Sequence, residues 1–402
     1  MIQSNYKYLK SKMIKVSLRP NLIYPIYLII WTFLRKIVSI LISKIFKFKG
    51  SVLYTHLMFF GEMIGGFIFY NYQKGIGNKH QTELSRESIL ITRLRKTKMQ
   101  RADGILKISF LIFVTSFFDF LEFILSTYYI SKIKNKSGTL QIRLGGILII
   151  ISSLVCWFFL KFSIFRHQIL SLTIIGISLI ILIISEFLFQ KYDIIISPKY
   201  LFFAIFLSIL SHLSIALNNT IEKYLIDFNF LHPFLVLTIQ GIIGFCFTFI
   251  CAIYENPIPD IKLIYTNNSS GMFTLFIFLL LFYTVFGGLK NIYRMDTIML
   301  FSPMNKQLAD IFINPLYIIY YFIVGEDFSN NGGRNYFYFF LNLIILIIFD
   351  ICGLIYNEFL IISCCGMGYN TYKSITLRAS QLEELDSIYD DDKIDSEYYI
   401  ND

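Results

Sequence analysis

Long apolar runs alternate with short polar stretches along the whole chain, and proline or glycine often marks the joints. Read at helical length, the runs predict ten helices at about residues 22–43, 53–72, 105–127, 139–160, 168–189, 199–219, 232–253, 272–290, 302–324 and 337–363. An apolar segment of about 20 residues crosses the roughly 30 Å hydrocarbon core as a helix. Only helices or closed barrels satisfy their backbone in lipid, and these runs lack the strict alternation of barrel strands. The pattern therefore predicts an all-α polytopic membrane protein. Ser197-Pro198, His232-Pro233 and Ser302-Pro303 place proline in a first helical turn, where no amide partner is lost. Pro315, deep in the ninth run, predicts a kink. Arg35 and Lys36 interrupt the first run; snorkelling or a cavity-facing position accommodates them.

An even number of spans puts both termini on one side. The basic N-terminal stretch 1–21 and the basic loop 73–104, with Lys74, Lys79, Arg86, Arg93, Arg95, Lys96, Lys98 and Arg101, place that side in the cytosol. Asn267 and Asn268 in "TNNSS" are glycosylation sequons in a loop that falls on the other side. Residues 366–402 form a tail of low hydrophobicity whose last stretch is acidic, and this tail is expected to be disordered.

Composition agrees with this picture. The chain is 55% hydrophobic and 18% aromatic, with a mean hydropathy of +0.61, far from a soluble domain. The net charge of +9 is here a topology signal rather than a nucleic-acid signal, and no nucleic-acid partner is expected. Six cysteines occur without a CxxC pair, so neither a disulfide framework nor a zinc site is indicated. Cys364-Cys365, at the cytosolic end of the last run, are candidates for palmitate or stay free thiols. No Walker loop, HExxH or paired-aspartate protease motif occurs, and the expectation is a non-enzyme without metal or cofactor.

The chain also echoes itself. The fifth run ends in "IISEFLFQ" and the tenth in "IYNEFLII", while the second carries "GEMIGG" and the seventh "QGIIGF". Matches at corresponding ordinal positions predict two five-helix repeats, 22–189 and 190–365. An odd number of helices per repeat inverts the second copy, an arrangement that builds a site at the repeat interface.

In this order of motifs the chain resembles the drug/metabolite transporter superfamily, in its solute-carrier branch related to nucleotide-sugar transporters and EamA-like proteins. The resemblance spans residues 22–365. It is carried by "SFFDFLEF" at 116–123, "SGTLQIRLGG" at 137–146, "NTIEKYLI" at 219–226, "SPMNKQLAD" at 302–310 and "GLIYNEFL" at 353–360. The Asn305-Lys306 pair is similar to the end of the Gly-Ala-Leu-Asn-Lys motif of nucleotide-sugar transporters, with Ser302-Pro303-Met304 in place of its first part. The resemblance implies ten helices, cytosolic termini, inverted repeats and solute exchange by alternating access.

Charged and amide side chains inside the runs are the site candidates, because such groups face lipid only at a cost of several kcal/mol. Glu62 and Gln240 lie at corresponding positions of the two halves beside Gly65, Gly66, Gly241 and Gly244, which permit close helix approach. They either line a central cavity or pack two helices. Arg143, Lys306 and Asn305 supply donors for an anionic substrate; alternatively Arg143 pairs with Glu62, Asp119 or Glu122, and Lys306 with Asp310. Asp119 and Glu122 share a helix face and suit ion coupling or a structural pair. His212 is a charge switch or a satisfied core histidine. Asp350 reaches deeper into the last run, whereas Glu186, Asn357 and Glu358 read as gate or helix-end groups. The expected function is secondary transport of an organic metabolite, anionic or nucleotide-derived, in an endomembrane such as the Golgi, ER or vacuole. The alternative is a non-transporting receptor or scaffold of the same fold acting through its tail. Expected partners are the small-molecule substrate and the lipid bilayer, with a homodimer and a tail-binding protein as the macromolecular options.

Overall fold

The computed structural model describes residues 14–16, 23–48, 51–76, 104–125, 140, 142–162, 164–189, 198–255, 257–324, 329–330, 333–334, 336–362 and 371. The basic loop beyond residue 76, Cys364-Cys365 and the acidic tail lie outside them. Twelve helices are described: α1 (Ile23–Phe46), α2 (Ser51–Ile76), α3 (Ile105–Phe123), α4 (Gly146–Phe159), α5 (Arg166–Phe189), α6 (Pro198–Asn229), α7 (Pro233–Glu255), α8 (Ile258–Asn267), α9 (Ser270–Leu300), α10 (Pro303–Ile311), α11 (Asn314–Val324) and α12 (Tyr336–Tyr356). Strand β1 (Ile14–Val16) pairs antiparallel with β4 (Leu360–Ile362), and β2 (Ser329–Asn330) pairs with β3 (Gly333–Arg334).

Seven helices, α1, α2, α5, α6, α7, α9 and α12, are long and apolar enough to cross a membrane. The protein is a helical multi-pass membrane protein. The remaining expected spans differ for visible reasons. Helix α3 carries Lys107, Asp119 and Glu122 within 19 residues, and α4 has 14 residues. The run at 302–324 is interrupted at Phe312-Ile313 and resumes with Pro315 in the first turn of α11. Proline there has no amide to donate and crowds the carbonyl four residues back, so one helix becomes two. Ser302 caps α10, its hydroxyl accepting from the Asn305 amide, as the Ser-Pro pair leads one to expect. Helix α12 stops at Tyr356, short of the expected 363. Glu358 adopts φ 62°, and the amides of Glu358 and Phe359 donate to the carbonyls of Ile355 and Leu354. That left-handed closure frees the β-branched Ile361 and Ile362 to pair as a strand.

The described residues fall into two compact units. The smaller contains β1, the chain around 164–174 and everything from Ile351 onward; the larger holds the rest. Within the larger unit, apolar side chains face outward: Ile177, Ile180, Ile181 and Ile184 on α5, and Phe278, Leu281, Phe282 and Val285 on α9. Charged residues Glu62, Arg143, Glu186, Glu222 and Arg294 face inward. Such a surface fits lipid rather than water.

Helix α2 is the hub. Against α7 it runs antiparallel: His56 Nδ1 meets Thr248 Oγ1 at 3.0 Å, Met63 lies opposite Gly241, and Gly66 opposite Thr238. Against α9 it runs parallel, with Tyr54 beside Tyr283, Gly61 beside Thr284 and Gly288, and Glu62 beside Asn291. Both crossings are closer than a side chain permits. A Cβ on Gly61 would stand 2.5 Å from the Thr284 carbonyl oxygen, and one on Gly241 would stand 2.5 Å from the Met63 amide nitrogen. Helix α3 packs on α6 and α7, α4 on α6 and α10, and α1 on α9 and α10. A core of Ile112, Leu225, Ile226, Phe234, Leu237, Ile292, Met295 and Ile298 fills the junction of α3, α6, α7 and α9.

Gly61→Ala and Gly241→Ala are therefore expected to cost about 1–3 kcal/mol or more by overpacking, whereas Gly271→Ala, which meets open space, is neutral. Thermal unfolding of the three variants in detergent, followed by size-exclusion recovery, checks this; equal melting of all three would contradict it.

Candidate functional site

Four helices bring charged side chains to one point inside the larger unit. Arg294 on α9 sets its guanidinium among three carboxylates: Nη2 is 3.1 Å from Glu222 Oε1 on α6 and 3.9 Å from Glu62 Oε1 on α2, and Nη1 is 3.6 Å from Asp119 Oδ2 on α3. Glu62 and Glu222 are fully buried, and Asp119 and Arg294 nearly so. Asn291, one turn before Arg294, donates its side-chain amide to Glu62 Oε1. On the next seam, Gln240 of α7 donates from Nε2 to Thr115 Oγ1 at 2.8 Å. Thr115 lies four residues before Asp119 and spends its own proton on the Ile112 carbonyl at 2.8 Å, which leaves its lone pair for Gln240.

The local sequence explains why these groups converge. The helices continue past their apolar runs, α6 to Asn229 and α9 to Leu300. Lys223, next to Glu222, reaches the last turn of α9, where its Nζ donates to the Met299 carbonyl at 2.9 Å and lies 3.2 Å from Asp227. A cation at a helix C-terminus meets carbonyls that lack intrahelical donors. Neighbouring residues of "IEKY" thus fasten α6 to α9 at two levels.

Several polar atoms here have no well-formed hydrogen bond: Glu62 Oε2, both Glu222 oxygens, Arg294 Nε and Nη2, Gln240 Oε1, and the whole side-chain amides of Asn219 and Gln307, although the Gln240 amide is close enough to act on the Glu222 carboxylate. The contacts of Glu222 and Asp119 with Arg294 are ion pairs without good hydrogen-bond geometry. Buried groups of this kind are ordinarily partnered. Among the described residues no group of His, Cys, Asp and Glu side chains is arranged to hold a metal ion.

A second set of charges lies within electrostatic reach. Lys306 Nζ is 2.7 Å from Asp310 Oδ2 on α10, and Lys290, Lys306, Asp310, Glu122 and Arg35 all influence one another. Arg35 donates to Met58 Sδ at 3.1 Å and lies 5.7 Å from the Tyr283 ring centroid. Lys36 lies over Tyr317. Aromatic and thioether contacts thus hold the cations that interrupt α1.

Of the residues singled out from sequence, Glu62, Asp119 and Gln240 belong to the cluster, and Glu122, Lys306 and Asp310 to its cationic flank. Asn305 is buried and serves the α10 cap, Nδ2 donating to Ser302 Oγ at 3.0 Å. Arg143 stands apart: fully buried, its Nη1 lies 2.6 Å from Glu186 Oε1 and 2.5 Å from the Tyr338 hydroxyl. Its partner is thus Glu186, not Glu62, Asp119 or Glu122. His212 donates from Nδ1 to the Ser208 carbonyl at 2.6 Å, the contact of a satisfied core histidine. Asp350 is buried on α12. In the smaller unit, Asn357 donates to the Gly353 carbonyl, and Glu358 lies 3.6 Å from His167 Nε2. The sequence alone did not single out Lys290, the last residue of its apolar run, or Glu222, Asn291 and Arg294, which lie beyond the runs. Their signal is spacing: Lys290, Asn291 and Arg294 fall on one helix face, as do Asn219 and Glu222.

No family model matches the chain, and no curated protein matches it.

Removing one partner of the Arg143–Glu186 pair strands a buried charge, so Arg143→Leu is expected to destabilise by about 3–5 kcal/mol. The Arg143→Leu/Glu186→Leu double variant should lose less than the sum of the single changes. Equilibrium unfolding in mixed micelles reads both, and strict additivity would contradict the pairing.

Proposed function

We propose that the protein is a secondary transporter of an organic solute bearing an anionic group, with the Arg294 cluster and the adjoining cations Arg35, Lys290 and Lys306 as its central site. The observation that carries this reading is the mismatch at that cluster: three carboxylates share one guanidinium, and hydrogen-bonding atoms on four helices lack partners. A purely structural ion pair has no need of surplus charge, and each unpartnered buried polar group costs about 1–3 kcal/mol. A solute that supplies those partners in an open state gives the arrangement a use.

The helix packing supports a reading as two inverted five-helix halves. Taking α10 and α11 as one interrupted span and setting α8 aside, α1 to α5 correspond in order to α6, α7, α9, α10–α11 and α12. Under that exchange the packing of α1 on α9 turns into that of α6 on α3, α2 on α9 into α7 on α3, and α4 on α6 into α10 on α1. The pairs α2–α7 and α4–α10 map onto themselves. Glu62 and Gln240 are then equivalents, as are their bonds to Asn291 and Thr115. The exchange is also broken in an informative way. Helices α6, α9 and α10 pack on one another, while their counterparts α1, α3 and α4 make no comparable packing among the described residues. An inverted-repeat transporter closed on one side has this asymmetry. The other reading, a receptor or scaffold working through the tail, rests on residues outside those described.

Uptake of nucleotide sugars, nucleotides, sugar phosphates and short peptides into proteoliposomes should show at least one transported solute. Arg294→Gln should lower its initial rate by about tenfold or more by leaving Glu62, Asp119 and Glu222 without their shared cation. Unchanged uptake in that variant, or leak of all solutes alike, would remove the site. For topology, Asn267 is exposed at the end of α8 while Asn268 donates its side-chain amide to the Ile264 carbonyl. In an Asn135→Gln background, which removes the Asn135-Lys136-Ser137 sequon on the same side, a single glycan, lost in Asn267→Gln and retained in Asn268→Gln, is expected on gels of protein made with microsomes. A glycan acquired instead at a sequon engineered into the loop 73–104 would invert the orientation.

A further inference from the structure

Charge is sorted along the axis of α9. Helices α2 and α9 run parallel, so their residues give common levels. Arg35 sits at the level of Met58 and Gly287, and Lys290 follows about one turn on; the Glu62, Asp119 and Glu222 carboxylates gather around Arg294 beyond it. Arg35 and Lys290 make no direct ion pair with a carboxylate among the described residues; Asp310 is taken by Lys306, and Glu122, within electrostatic reach of both, offsets one of the two charges. At the other end three carboxylates face the single charge of Arg294, and neither oxygen of the fully buried Glu222 has a well-formed hydrogen bond, with the Gln240 amide close enough to act on it. The Asn219 amide, one turn before Glu222 and almost fully buried, is unpartnered as well. A net cation at one level and a surplus of carboxylates at the other thus stand four to seven residues apart along one helix, about 6–10 Å at 1.5 Å per residue.

We infer that the solute is a zwitterion of short-peptide size, its ammonium end held by Glu62, Asp119 and Glu222 and its carboxylate end by Arg35 and Lys290. A plain anion satisfies the cations and leaves the carboxylates in surplus, and a plain cation does the reverse. A ligand with both charges at this separation neutralises both ends. The free ammonium donates three hydrogen bonds, matching the acceptors left open on Glu222 and Glu62. The inference rests on the transport reading and narrows its solute class.

The test measures uptake by the full-length protein in proteoliposomes of radiolabelled glycine, diglycine and triglycine, N-acetyl-diglycine as anion, and diglycine amide as cation. Diglycine or triglycine should enter at least tenfold faster than either singly charged analogue and faster than glycine, whose charges are too close. Glu222→Gln should erase the advantage over N-acetyl-diglycine, and Lys290→Gln the advantage over the amide. Proper folding of both variants is checked by monodisperse elution and an unchanged melting temperature. If either variant fails that check, Asn219→Ala and Arg35→Gln test the same two ends. Equal entry of N-acetyl-diglycine and diglycine, or uptake of sugar phosphates without uptake of peptides, overturns the zwitterion while leaving transport standing. No uptake of any solute, the nucleotide and phosphate panel included, counts against transport and the zwitterion together.

Discussion

One guanidinium shared by three carboxylates is the constraint around which the larger unit is built. Arg294 reaches Glu62, Asp119 and Glu222 from α2, α3 and α6, so the packing of four helices is answerable to a single side chain. Burying such ions is costly, and attraction offsets that cost only when partners are close and well placed. The close approach comes from small residues. Gly61 and Gly288 bring α2 onto α9, Gly66 and Gly241 bring α2 onto α7, and Lys223 ties α6 to the end of α9. The apolar residues Ile292, Met295 and Ile298 alternate with Asn291 and Arg294 on α9 and lock that helix into the same junction. The polar centre and its apolar frame are therefore set by one short stretch of α9.

Membrane solvent explains why the molecule tolerates this arrangement. Lipid takes the apolar outer faces of α5 and α9 without penalty, so polar groups rather than greasy ones are gathered inside. The Arg143–Glu186–Tyr338 contact is a charge-balanced example: one buried cation directly paired with one buried carboxylate and separate from the cluster, with Glu186 Oε2 left unpartnered. The Arg294 junction is the unbalanced one, with charge left over and amides of Gln240, Asn219 and Gln307 not fully engaged. The contrast in one bundle is of charge balance, one cation to one carboxylate against one cation to three, and it makes the second the better candidate for handling a solute.

Much of the fold was legible in the sequence because lipid imposes a length and an apolar composition on each span. The starts at Pro198, Pro233 and Pro303 appear where proline placed them. Where polar residues extend a helix beyond its apolar run, hydropathy loses the signal, and Glu222 and Arg294 were missed for that reason. The pairing of Glu62 with Gln240 was visible as a repeat of position, but its chemistry was not: each bonds to a different helix, through Asn291 and Thr115. Glu186 and Glu358 share the same Glu-Phe-Leu triplet yet differ in setting, one inside α5 against Arg143 and the other at the left-handed close of α12. Sequence similarity over three residues could not reveal that a positive φ ends one helix and not the other.

The central claim is that the junction of α2, α3, α6, α7 and α9 opens to water alternately from the two sides, rather than being a sealed core. The most direct measurement is thiol accessibility of Gln240→Cys in a background stripped of native cysteines, using membrane-impermeant reagents added to either side of oriented vesicles. Gln240 is fully buried with its Oε1 unpartnered, so a sealed core leaves a cysteine there inert. The account predicts modification from both sides, slowed by a transported solute. Folded protein that stays unreactive from either side would contradict it.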